Sequence, residues 1–238
     1  MSASARASGS DGLTASALAH GPGALGIEHF PAQIRDLQAW IGGELPGDHP
    51  FHRVRAMPAG ETDPELWLLG SSDQSAAYAA YFGYAFSFAH FINAQGGSLV
   101  MEAYRRHFEP SAQLAAPKGS IGIFAICADT EAESLDLRWS RDLWLLRLHT
   151  GRTGPVPTVD EAKAYPYSDR ERAITEHNRG RTIAGDPDQV RAEIEALGDA
   201  YKVNEFVVVT ICDRFEARLR SYELLAEAFS LAPAGARA

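Results

Sequence analysis

Leu66-Trp67-Leu68-Leu69-Gly70-Ser71-Ser72-Asp73-Gln74-Ser75-Ala76-Ala77-Tyr78-Ala79-Ala80 is an apolar run that breaks at a small, hydroxyl-rich turn and restarts as an alanine-rich helix. The pattern reads strand, tight turn, helix. A helix opening with Ser71, Ser72 and Ser75 presents unpaired backbone N–H groups, hydroxyls and the positive end of its dipole just beyond the strand. A phosphate group suits that place. So does a plain cap, because Ser is a favoured N-cap whatever the function, and from these residues alone capping is the preferred reading.

Upstream, Phe30, Ile34, Leu37 and Ile41 recur at helical spacing until Gly42-Gly43 stops them. The Pro- and Gly-bearing stretch from Glu44 to Pro64 then connects that helix to the Leu66 strand. Met1 to Gly12 is small, polar and Gly/Ser-rich, and Ala19 to Gly26 continues in that style, so residues 1–26 are expected to be flexible. Downstream, Gly83 ends the Tyr78 helix, Tyr84 to Ile92 reads as a second buried strand, and a helix follows over Ser98 to Phe108. Ser120 to Ala128 is a third strand. Thr130 and Glu133 have the spacing of a capping box for a helix through Trp139 and Trp144, both expected to anchor the core.

Gly151 to Ser168 is long and Pro-rich, which suggests a lid or covering loop, with a short charged helix after it. Asp186-Pro187 combines an N-cap with Pro at the first helical position, and Val190, Ile194 and Leu197 supply one apolar face. Glu205 to Cys212 is a β-branched run and the fourth expected strand. Phe215, Leu219, Tyr222 and Phe229 carry a last helix with Asp213 as its cap, and residues 231–238 are expected to fray. Arg220 and Glu223 stand three apart on that helix, a spacing for a surface pair.

Near-continuous apolar strands, each followed by a helix, are the pattern of a parallel sheet covered by helices, so the class is α/β. Ligands of such sheets gather at the carboxyl ends of strands, here Gly70 to Ser75, His90 to Gln95, Cys127 to Thr130 and Thr210 to Asp213. With 238 residues, 45% of them hydrophobic, the chain can build a sizeable core. A net charge of -9 with dispersed basic residues argues against nucleic acid or an anionic membrane as partner. Cys127 and Cys212 lie in separate apolar strands without metal-ligand spacing and read as buried reduced thiols, which fits a cytoplasmic location with no metal site. The sequence contains neither an apolar run of bilayer-spanning length nor the apolar core of a signal peptide.

Four segments in order carry a resemblance: Leu66 to Ala80, Phe86 to Phe91, Gly185-Asp186-Pro187-Asp188-Gln189-Val190, and Arg218 to Ala226. Together they resemble the bacterial-luciferase-like flavin monooxygenases from about Arg6 to Phe229. The resemblance implies a single luciferase-like TIM-barrel domain over residues 1–238, an incomplete (β/α)8 barrel with about four parallel strands and covering helices. Ala5 to Asp11 looks like the end of the family's fourth strand, so the amino-terminal units are expected to be absent from this chain.

By the same resemblance, Gly70, Ser71, Ser72, Asp73 and Ser75 form the turn where family members hold the phosphate of flavin mononucleotide (FMN), and Arg6 sits where a phosphate-contacting arginine is expected. His90, at a strand's carboxyl end, is the catalytic candidate, although a packed strand-end histidine is the preferred reading of that residue alone. The implied activity is a monooxygenase that uses reduced FMN, supplied by a separate flavin reductase, and O2 to oxidise a small organic substrate. A non-catalytic flavin-binding protein completed by a partner in a homo- or hetero-oligomer, and a deazaflavin-dependent oxidoreductase, are the alternatives.

Overall fold

The computed structural model describes residues 2–4, 27–43, 45–57 and 64–231. The chain falls into two compact units that it visits alternately, Met1–Phe86 with Ala103–Lys118, and Ser87–Glu102 with Gly119–Ala238.

In the first unit, β1 (Ser2–Ser4) pairs in parallel with β2 (Leu66–Gly70), Ala3 lying opposite Trp67. The expectation of a loose start is therefore corrected at Ser2–Ser4. The rest of the expected flexible stretches, like Arg6 and the Ala5 to Asp11 strand end, lies outside the described residues. Helix α1 (Phe30–Ile41) buries Ile34 and ends at Gly42, with Gly43 in the left-handed region at φ 78°. Helix α2 (Asp73–Phe82) turns Ala76, Ala79 and Ala80 inward, and their small side chains let it lie close to β2. Gly83 closes the helix at φ 63°, where a Cβ would stand 2.6 Å from the Glu109 carbonyl oxygen. The Tyr104 hydroxyl donates to the Tyr84 carbonyl at 2.8 Å and fixes the chain where it returns to this unit.

Two elements cross the division, β3 (Ala85–Ala89) and α3 (Gly97–Arg106). The second unit is built on β4 (Gly119–Cys127), buried along almost its whole length, with β5 (Thr182–Gly185) and β6 (Phe206–Val209) parallel to it. Ile121 N–H donates to the Glu205 carbonyl on the β6 side, whereas Gly122 O accepts from Phe91 N–H and Ala128 N–H donates to Gly185 O. Alternate residues of a strand bond to opposite sides, so β6 holds one edge of β4 while the end of β3 and then β5 follow each other along the other. Phe91 thus stands beside Gly122, and Thr182 beside Phe124.

Helices α4 (Glu131–His149), α5 (Val159–Ala164), α6 (Asp169–Arg179), α7 (Pro187–Tyr201) and α8 (Phe215–Ala228) complete the unit. The fold is an α/β parallel sheet with intervening helices, open among the described residues, as an incomplete barrel requires.

Several expectations change. Six strands are described, not four, because β1 and β5 are too short and mixed to stand out as apolar runs. The fourth expected strand shrinks to Phe206–Val209 and, among the described residues, pairs only with β4 and leaves Val207 exposed, so it is not buried on both faces. The covering loop contains α5, held by a capping box between Thr158 and Glu161. Thr130 accepts from Glu133 N–H as a cap, without the reciprocal bond of a capping box. Asp213 does not cap α8, whose N-cap is Arg214; its carboxylate instead accepts from Val159 N–H at 3.3 Å. Trp139 and Trp144 are half-buried, and Trp139 packs, as expected of a core anchor, against the buried cluster of Leu143, Leu146, Ala162 and Tyr167. Both cysteines are buried free thiols, and burial pushes Cys127 up to about 11.

Candidate functional site

The strand β2 runs out at Gly70, and Ser72 becomes the N-cap of α2 with extended backbone, φ -132° and ψ 158°. Its hydroxyl accepts from Ser75 N–H at 3.4 Å, and Ser75 Oγ accepts from Ser72 N–H at 3.3 Å. Ser75 also donates its hydroxyl proton to the Ser72 carbonyl at 2.7 Å. The two hydroxyls lie 3.1 Å apart. Gly70 is required by this closure, since a Cβ there would fall 2.1 Å from Ser75 Oγ. Capping, the reading preferred from the residues alone, is realised in full.

The turn keeps some capacity for an anion. Asp73 and Gln74 occupy the first turn of α2, where N–H groups have no helical carbonyl to bond, and among the described residues the Ser71 hydroxyl has no hydrogen bond. The donor set fits a phosphate through those groups. It does not fit one through Ser72 and Ser75, whose hydroxyls are spent on each other, and the Asp73 side chain in the same turn adds a carboxylate to the site.

His90 follows β3 in the second unit and is only 8% exposed. Its ring meets Tyr201 edge-on at 6.0 Å, and Nδ1 is buried without a hydrogen-bond partner. Burial, and then the neighbouring Arg181, hold its pKa below the ordinary histidine value. The packed histidine preferred from the sequence is what the ring contacts describe; the residue lines a cavity of about 280 Å³ with Arg181, Thr182 and Glu193, while its Nδ1 is sealed from solvent. Arg181 and Thr182 were not legible as site residues. Both sit at the start of β5, the strand the apolar pattern does not reveal.

A buried ionic cluster on α4 also escaped the sequence reading. Arg141 and Asp142, 1% and 0% exposed at their side chains, approach to 3.5 Å, and Arg179 Nε donates to Asp142 at 2.7 Å. The Arg141 guanidinium lies 4.7 Å from the Phe124 ring centre, and burial lowers its pKa to about 10 against the pull of Asp142. Burial pushes the Asp142 carboxyl up despite Arg179 beside it. Arg141 Nη1 donates to the Asn178 carbonyl at 3.3 Å, and the Asn178 side chain accepts from Arg181, so the cluster leads to the His90 cavity. On α8, Arg220 makes the expected contact with Glu223 at 3.5 Å but a closer one with Asp129 at 2.6 Å.

The sequence model of the family described as luciferase-like monooxygenase matches residues 37–201. Protein YceB of Bacillus subtilis is 40% identical over 203 residues, which are 85% of this chain and 61% of YceB. The N-acetyl-S-alkylcysteine monooxygenase of the same bacterium is 30% identical over 207 residues, 85% of this chain and 60% of that one. The chain thus spans about three fifths of the length of these curated relatives. The crystal structure of apo-MsnO8 aligns with a TM-score of 0.75 and 30% identity, covering 88% of this chain and 63% of its own.

At lower identity the fold alone is shared. A riboflavin lyase solved with a modified FMN and riboflavin has 14% identity and a TM-score of 0.52, covering 94% of this chain and 63% of its own. An F420-dependent secondary alcohol dehydrogenase solved with an F420–acetone adduct has 10% identity and the same score, covering 84% and 61%.

Proposed function

This chain belongs to the luciferase-like monooxygenase family, and we propose that it serves the flavin-dependent oxidation of a small organic substrate, with FMN held by its phosphate at the β2–α2 turn. The observation that carries this reading is the family match over residues 37–201, which takes in that turn. When bound, reduced FMN supplies the electrons for the reaction with O2, and a separate flavin reductase is the proposed source of those electrons.

The chain's own residues bind and orient. The N–H groups of Asp73 and Gln74 and the Ser71 hydroxyl donate to the phosphate. The Ser72–Ser75 box keeps those donors in register without touching it. Arg6 is the proposed guanidinium partner, and His90 the proposed contact to the reacting molecules. The unit in which it acts is taken to be one luciferase-like domain in the cytoplasm.

Flavin fluorescence tests this directly. FMN is titrated into the full chain, Ser71→Ala and Ser72→Ala, with riboflavin as the control that lacks phosphate. The expected result is saturable, phosphate-dependent binding that weakens about tenfold in Ser71→Ala, the worth of one charge-assisted hydrogen bond, at unchanged melting temperature. No saturable FMN binding by a chain with native circular dichroism overturns the reading.

A further inference from the structure

Helix α8 carries two apolar faces, of which one is covered among the described residues. Leu224 and Leu225 are buried together with Ser221, whose Oγ accepts from Cys127 N–H at 2.9 Å and so seats the helix on β4. Phe215, Leu219 and Tyr222 lie on another side of the helix and are 62%, 48% and 40% exposed. Their spacing of four and then three continues to Ala226 and to Phe229 at the helix end, which is the seven-residue repeat of a coiled-coil seam. Tyr222 is held in place, because its hydroxyl accepts from Thr210 N–H at 3.2 Å.

The charges beside the seam select a partner. Arg218 flanks it on one side, and Glu216 and Glu223 flank it on the other. Among the described residues Arg218 has no carboxylate partner and lies over the Phe215 ring, 5.5 Å from its centre, while Glu223 has a loose contact with Arg220 at 3.5 Å. In a parallel helix pair, flanking residues five apart face each other across the seam, so Arg218 meets the partner's Glu223 and Glu223 meets the partner's Arg218. An antiparallel pair instead sets the glutamates against each other and Arg218 against itself. A second copy in parallel register offers the matching charges twice, as an isologous contact requires.

We propose that α8 is the docking face for a second copy of this chain, the two helices lying in parallel about a two-fold axis with Phe215, Leu219 and Tyr222 packed against their counterparts. The seam spans about two heptads, so the dimer is a weak one that forms and dissociates with concentration. It does not depend on flavin binding.

Sedimentation equilibrium of the full chain over a wide range of concentration tests this. The wild type is expected to show a monomer–dimer equilibrium, which Leu219→Glu abolishes by setting a carboxylate in the seam. Arg218→Glu and Glu223→Arg should each weaken dimerisation about tenfold, because each sets like charges across the seam at two symmetry-related places. Mixed in equal amounts, these two variants should regain dimerisation, because every facing pair is then opposite in charge. Circular dichroism should be unchanged in all three, since the substituted side chains are exposed. A monomer at every concentration, as when another segment or protein covers the stripe, overturns the proposal. So does a dimer indifferent to Leu219→Glu, and so do charge variants that dimerise as the wild type does or that mixing does not rescue.

Discussion

The β2–α2 turn and the His90 cavity are opposites in hydrogen-bond accounting. At the turn, Ser72 and Ser75 satisfy each other across three residues of sequence. At the cavity, His90, Arg181 and Thr182 come from segments about ninety residues apart and leave three polar atoms unsatisfied. The difference teaches where unmet hydrogen-bonding groups sit. Local caps are self-sufficient and stabilise a helix whether or not a ligand arrives, whereas unmet groups persist only where tertiary packing forces them together.

The largest effect should come from the buried cluster that braces the cavity. Asp142→Ala leaves Arg141 and Arg179 without their shared carboxylate and should cost about 3–5 kcal/mol in urea denaturation. A loss below about 1 kcal/mol would mean the cluster is not ionised in the folded chain. Next, Gly70→Ala forces a Cβ onto Ser75 and should cost about 1–3 kcal/mol. Ser75→Gly, which empties the colliding space, should recover part of that, and strict additivity of the two changes would refute the closure described for the turn.

Smaller again, Ser72→Ala removes one cap and should lower stability by about 1 kcal/mol with no ligand present, as thermal unfolding would record. Thr182→Val is the contrasting case. Its hydroxyl has no partner to lose, so the variant should match or slightly exceed wild-type stability in the absence of ligand, and a clear loss would erase the distinction between the two regions.

Much of the architecture is legible in local signals. The Phe30 helix stops at its two glycines, Gly83 closes α2 in the left-handed region, and Asp186-Pro187 opens α7 with a reciprocal box to Gln189. These features depend on residues within a turn of one another. The apolar runs likewise locate β2, β3 and β4, because a strand buried on both faces must be apolar throughout. Thr182–Gly185 escapes that rule because its burial alternates, and it is recognised as a strand only by its pairing with Phe124 to Cys127.

The candidate site divides in the same way. Gly70, Ser71, Ser72 and Ser75 are visible as a turn and cap because their interactions span at most five residues. His90 is visible as the end of a strand, but its neighbours are not. Sequence alone determined the α/β class, the caps at Ser72 and Asp186 and the tight turn from Gly70 to Ser75, since each is fixed by short-range sterics and hydrogen bonding. Only the tertiary structure decided that β3 and β5 share one edge of β4, which buries His90 beside Arg181 and Thr182, because strand pairing is chosen by the packing of the whole sheet and not by any one strand.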